Sequence, residues 1–178
     1  MAKTYGTVTT FTAGSVLTAA QLNVAGGAVN NLVVPATAQL YRTSDLTYTS
    51  NATIAYNGTT GAVPLYWDTD GMTSVANTIT IQTPGLYVLS FSGRVDGSST
   101  LTQVTTQINI NGTATSAQYQ NQSGTICYFT HHFVRYCAAS DAITTLLTTT
   151  GGTLTIKGNA SENVAQTRMS ATWIGRTS

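Results

Sequence analysis

The sequence predicts an all-β protein, a two-sheet sandwich of about ten short antiparallel strands behind a short N-terminal helical or extended segment. Three observations predict it. From Thr37 to the C-terminus, β-branched and aromatic residues recur with a period of two, which places alternate side chains on one face of a strand. Turn-forming pairs punctuate these runs, and both Asn57-Gly58 and Asn111-Gly112 can take the positive φ angles that tight hairpins demand. No internal repeat points to a solenoid.

The first 36 residues stand apart from the rest. Thr18-Ala19-Ala20-Gln21 has the capping-box pattern, in which the Thr hydroxyl and the Gln side chain satisfy the first free N–H groups of a helix. Leu22, Ala25, Val29 and Leu32 follow at spacings of three and four, predicting a short amphipathic helix over about 19–32. Gly26-Gly27 weakens it by about 1 kcal/mol per glycine relative to alanine, so a partner must hold it in place. Pro35 ends the segment, because proline disfavours helical geometry in the residue before it. Residues 1–36 are therefore an attachment segment and 37–178 a single β domain. Strands are expected at 39–42, 53–56, 65–68, 78–82, 85–95, 104–110, 126–135, 142–148, 154–158 and 169–174. In the fifth of these, Tyr87, Leu89 and Phe91 share one face while Leu86, Val88 and Ser90 share the other, and the large side chains demand a facing sheet.

Only 7% of the 178 residues are charged, and the formal net charge is +1. An average domain carries about 25% charged residues, so Thr, Ser, Asn and Gln supply the polar surface here. Without a basic run the chain lacks the attraction that drives nonspecific nucleic-acid binding. No stretch approaches the roughly 20 apolar residues of a membrane-spanning helix, and the first residues lack the apolar core of a secretory signal. Cytosolic synthesis without membrane insertion is the expectation. Cys127 and Cys137 are too few for a disulfide scaffold. They read as two partly buried thiols on one sheet, or as a bridge between neighbouring strands.

Thr83-Pro84-Gly85-Leu86-Tyr87-Val88-Leu89-Ser90-Phe91 resembles a strand of the trimeric jelly roll shared by the globular heads of the complement first component and tumour necrosis factor. Tyr66-Trp67-Asp68-Thr69-Asp70-Gly71-Met72 and Ile79-Thr80-Ile81 lie upstream at similar offsets. Asn109-Ile110-Asn111-Gly112-Thr113 resembles the central hairpin, and Ala139-Ser140-Asp141-Ala142-Ile143 the Ala-Gly-Asp-x-Val turn, with Ser140 in place of the glycine. Met169-Ser170-Ala171-Thr172-Trp173-Ile174-Gly175 resembles the closing strand. The resemblance covers roughly residues 37–176 and implies a homotrimer, with Tyr87 and Phe91 in the core and Trp173 on the strand beside the three-fold axis. A second resemblance lies upstream. Phe11-Thr12-Ala13-Gly14-Ser15-Val16-Leu17-Thr18-Ala19-Ala20-Gln21-Leu22-Asn23 is similar to the opening of many tailed-bacteriophage minor tail and fibre proteins. It implies a virion protein whose N-terminal segment, through Phe11, Leu17, Leu22 and Val29, seats on other virion proteins.

Few residues could carry chemistry. His131 and His132 adjoin the cysteines, but neighbouring residues on a strand face opposite ways. A bulge-free strand puts His131 on the face of Cys127 and Cys137, and His132 on the other, as ordinary sheet histidines. Asp68-Thr69-Asp70-Gly71 opens like a calcium loop but lacks the later acidic ligand. It reads first as a turn whose Asp side chains bond the backbone. The stretch 118–125 reads as a loop, and Tyr119, Gln120, Asn121 and Gln122 are its candidate ligand residues for a host-surface glycan or protein, set against a plain solvated connection. No catalytic, metal or cofactor site is expected. Two functions follow from the resemblances: a trimeric tail fibre, spike or tip appendage that touches the host, or a trimeric capsid decoration or head-fibre protein.

Overall fold

A computed structural model of the chain describes residues 35–48, 52–56, 58–59, 68–73, 77–98, 100–121, 126–158 and 167–175. Among them the secondary structure is entirely β. The strands are β1 (Thr37–Tyr41), β2 (Leu46–Tyr48), β3 (Ala52–Thr53), β4 (Gly58–Thr59), β5 (Ile79–Thr80) and β6 (Gly85–Gly97). They continue with β7 (Gln103–Ile110), β8 (Thr113–Asn121), β9 (Ile126–Cys137), β10 (Ala142–Thr150), β11 (Leu154–Ile156) and β12 (Arg168–Gly175).

These strands form two antiparallel sheets. One runs β2-β11-β6-β12-β1-β4, with β9 along the other edge of β6; the second runs β3-β10-β7-β8, with β5 also on β10. Strands distant in sequence pair, β1 with β12, β6 with β9 and β7 with β10, which is the wound-up hairpin of a jelly roll. Alternation explains how the sheets face each other. Along β6 every second residue through Val95 is buried, including Tyr87, Leu89 and Phe91. Met169, Ala171 and Trp173 do the same from β12, and Val104, Ile108, Ile143 and Leu147 meet them from the second sheet. The Phe91 and Phe129 rings pack edge to face with centroids 4.8 Å apart, a geometry that the ring quadrupoles favour. The three expected core aromatics, Tyr87, Phe91 and Trp173, are all buried.

Turn chemistry fixes the register. Asn111 and Gly112 take φ of 52° and 75°, and this left-handed pair joins β7 to β8 as the sequence predicts. Ser140 takes φ of 72°, the backbone shape of the glycine it replaces, and its N–H donates to the Ile81 carbonyl at 2.8 Å.

Several expectations need correction. Residues 118–121 are not loop but the last part of β8, while 122–125 lie outside the described residues. Thr113–Asn121 has no apolar period because it is a sheet edge, largely exposed on both faces, so periodicity had nothing to register. Gly58 belongs to β4 rather than to a hairpin turn; Asn57 lies outside the described residues. β2 was not expected, and the strands foreseen at 53–56 and 78–82 are each two residues long. Of the expected strand 65–68 only Asp68 is described, as an isolated bridge to Ala38. The expected helix, and with it Phe11, Leu17, Leu22 and Val29, lies outside the described residues.

Candidate association surface

Strand β9 is where the two faces of the larger sheet are easiest to tell apart. Cys127, Phe129, His131 and Cys137 point inward and are buried, whereas Ile126, Tyr128, Thr130, His132, Val134 and Tyr136 point outward. The parity argument for the two histidines therefore holds. Both thiols are free. They lie at opposite ends of one extended strand, far beyond the roughly 7 Å Cα separation that a disulfide tolerates. Burial raises the pKa of Cys127, and burial together with the Asp141 charge raises that of Cys137 to about 11. Protonated thiols are poor nucleophiles.

On their open sides β8 and β9 are joined by side chains. His131 Nε2 lies 2.7 Å from Ser116 Oγ, and its Nδ1 lies 3.4 Å from Thr106 Oγ1. Gln120 Nε2 donates to the Tyr128 carbonyl at 3.0 Å, while Cys127 Sγ donates to Gln120 Oε1 at 3.1 Å. Burial, and secondarily the neighbouring His132, lowers the His131 pKa against a weaker opposing hydrogen bond that the ring donates to the Thr106 backbone. His131 is thus a neutral bridge between sheets.

The outer face of the larger sheet divides into rows set by strand register. At one end Leu86 stands opposite Tyr136, and Val88 lies between Val134 and Thr172, with Ile174 one step further along β12. Val134, Tyr136 and Ile174 are 56%, 46% and 51% exposed, so this end is an uncovered apolar patch. The next rows are polar: Gln39, Ser170, Ser90 and His132 align across four strands, followed by Tyr41, Arg168, Ser92 and Thr130. The far end is charged. Arg94 grips Asp96 with two hydrogen bonds of 2.8 and 3.0 Å and lies 5.9 Å from the Tyr128 ring centroid, and Lys157 joins Asp45 to the same group.

The residues first considered for ligand binding are not gathered into one site. Tyr119 is 69% exposed on β8, opposite Thr105, but the Gln120 side chain is spent on β9, and Gln122 lies outside the described residues. The Asp68 turn follows the backbone-bonding reading: its carboxylate accepts from the N–H groups of Met72 at 2.7 Å and Thr73 at 3.0 Å. Asp70 is buried and accepts from the Thr83 hydroxyl at 2.7 Å. Among the described residues no three His, Cys, Asp or Glu side chains come together as a metal site. What the sequence reading missed is the outer apolar patch. The signal was present, since β9 is apolar on both faces at Tyr128, Phe129, Phe133, Val134 and Tyr136, and a strand with two apolar faces is one covered on both sides.

No family model matches this chain, and no curated protein matches it by sequence. Solved structures do match in shape. The chain is similar to Eiger TNF from S. frugiperda, with a TM-score of 0.59 and 9% identity over 80% of this chain and 94% of that one. It is also similar to murine APRIL, with a TM-score of 0.54 and 10% identity over 78% of this chain and 99% of that one. At this identity the likeness shows the fold: a tumour-necrosis-factor-like jelly roll.

Proposed function

We propose that this chain is a non-enzymatic structural protein of a bacteriophage virion, a homotrimer of jelly-roll heads carried by an N-terminal attachment segment. One observation carries the self-association: Val88, Val134, Tyr136 and Ile174 cluster on the outer face of a sheet whose inner face already fills the core. An exposed apolar cluster on a chain that is only 7% charged is a surface made to be covered. Closure by three copies buries the cluster of every copy and leaves no open-ended growth. The number three and the virion setting are supported by the resemblances of residues 83–91 and 11–23. The appendage reading is preferred to capsid decoration because the N-terminal motif is similar to tail proteins.

The test uses two changes with opposite expected effects. Val134→Lys puts a charge into the apolar cluster without touching the core, and should convert the trimer into a folded monomer in sedimentation at micromolar concentration. A chain beginning at Pro35 should remain trimeric and melt cooperatively, yet fail to join particles. A wild-type chain that sediments as a monomer refutes the association. Incorporation of the shortened chain into particles refutes the attachment role of residues 1–34.

A further inference from the structure

We propose that the depression at the centre of the outer face is a binding site for an oxyanion, held by Arg168 within a ring of neutral donors. The inference rests on the association reading above and names what that interface must hold. Gln39, Ser90, Ser92, Arg168 and Ser170 line a hollow of about 240 Å³, formed where β1, β12 and β6 run side by side. Register puts Ser92 directly across from Arg168, and Ser90 across from Ser170, which in turn faces Gln39.

Every one of these side chains can donate a hydrogen bond, and none carries negative charge. Arg168 has no carboxylate partner among the described residues. Gln39, although 9% exposed, makes no side-chain hydrogen bond there either. Three hydroxyls, an amide and a guanidinium without an acceptor match the several oxygens of one oxyanion.

A second copy cannot readily supply the missing charge. Of the six acidic residues, Glu162 lies outside the described residues, and the other five are engaged within their own chain. Asp45 and Asp96 pair with Lys157 and Arg94, Asp141 accepts from Asn111 and the Ala138 N–H, Asp68 caps its turn, and Asp70 accepts from Thr83. Covering this face by neighbouring copies therefore takes Arg168 out of water with none of the described carboxylates free to meet it. A buried guanidinium left unpaired is strongly unfavourable. A small oxyanion trapped in the hollow removes that penalty.

The experiment follows the melting of the full chain while sodium sulfate, or sodium acetate in a parallel arm, replaces chloride at constant ionic strength, with sedimentation alongside. Sulfate strengthens apolar burial in any protein, so the diagnostic is a saturable rise over millimolar additions above that linear trend. Wild type should show it. Arg168→Gln should lose it while staying trimeric. Ser92→Asp, which places a carboxylate beside Arg168, should also lose it and be at least as stable as wild type without oxyanion. A response to both anions assigns any oxyanion, and a response to sulfate alone a tetrahedral one. A trimer with no saturable response, or one that Arg168→Gln retains, overturns the site. A saturable response that is absent from wild type and appears only in Glu162→Gln assigns the position to the chain's own carboxylate and overturns an external ligand. A wild-type monomer under all conditions overturns the association reading, and the site with it.

Discussion

Ser116 Oγ and His131 Nε2 meet at 2.7 Å across the side of the sandwich where neither backbone reaches the other. The contact joins strands of different sheets through a single imidazole, with Thr106 on its second nitrogen. Because the imidazole is buried there, protonating His131 weakens the seam between β8 and β9 by the cost of placing a charge in it.

The sign of the resulting pH dependence is fixed. Burial lowers the His131 pKa from its ordinary 6.5, so the unfolded chain binds a proton more readily than the folded one. Its contribution to stability is complete above 6.5 and is lost as pH falls from 6.5 toward the depressed folded value. Melting temperature should therefore decline between pH 7 and pH 5, and His131→Gln should flatten that decline. An equal slope in the variant would show that another group sets it.

Core and edge should respond differently to truncation. Phe91 is fully buried against Phe129, and Phe91→Ala should cost about 3–5 kcal/mol through lost burial and the cavity left behind. Trp173→Ala belongs to the same class. Tyr119→Ala removes a ring that is 69% exposed, and should leave stability within about 0.5 kcal/mol. Thermal melts compare the three directly, and reduced cell adsorption by the Tyr119 variant would add weight to the appendage reading.

Two glycines resist alanine for different reasons. A Cβ at Gly85 would collide with the Trp173 indole and lie 2.6 Å from the Gly175 carbonyl oxygen, so Gly85→Ala must push β6 and β12 apart, at about 1–3 kcal/mol. At Gly112 the space is open, but φ is +75°, and Gly112→Ala should cost about 1 kcal/mol from backbone strain alone. Urea melts that rank the two variants the other way would contradict this division.

How legible each part was in the sequence depends on how asymmetric its surroundings are. β6 and β12 were readable because Tyr87, Leu89, Phe91, Met169 and Trp173 face a core while Ser90, Ser92, Ser170 and Arg168 do not. β8 was unreadable because an edge strand exposed on both faces needs no alternation, and Thr-Ala-Thr-Ser-Ala-Gln-Tyr-Gln-Asn shows none. The Asn111-Gly112 turn was legible from its two residues, since few others take those angles. The hollow around Arg168 was not. Its residues come from positions 39, 90, 92, 168 and 170, and only strand register brings them together.

The two thiols carry a consequence for the protein's life in different surroundings. Cys127 and Cys137 are buried at opposite ends of β9, with pKa values raised so that both stay protonated at neutral pH. Neither can reach the other, and neither offers a thiolate to an oxidant. Passage from a reducing to an oxidising medium therefore forms no disulfide between them within one head, and its shape requires no redox step to mature.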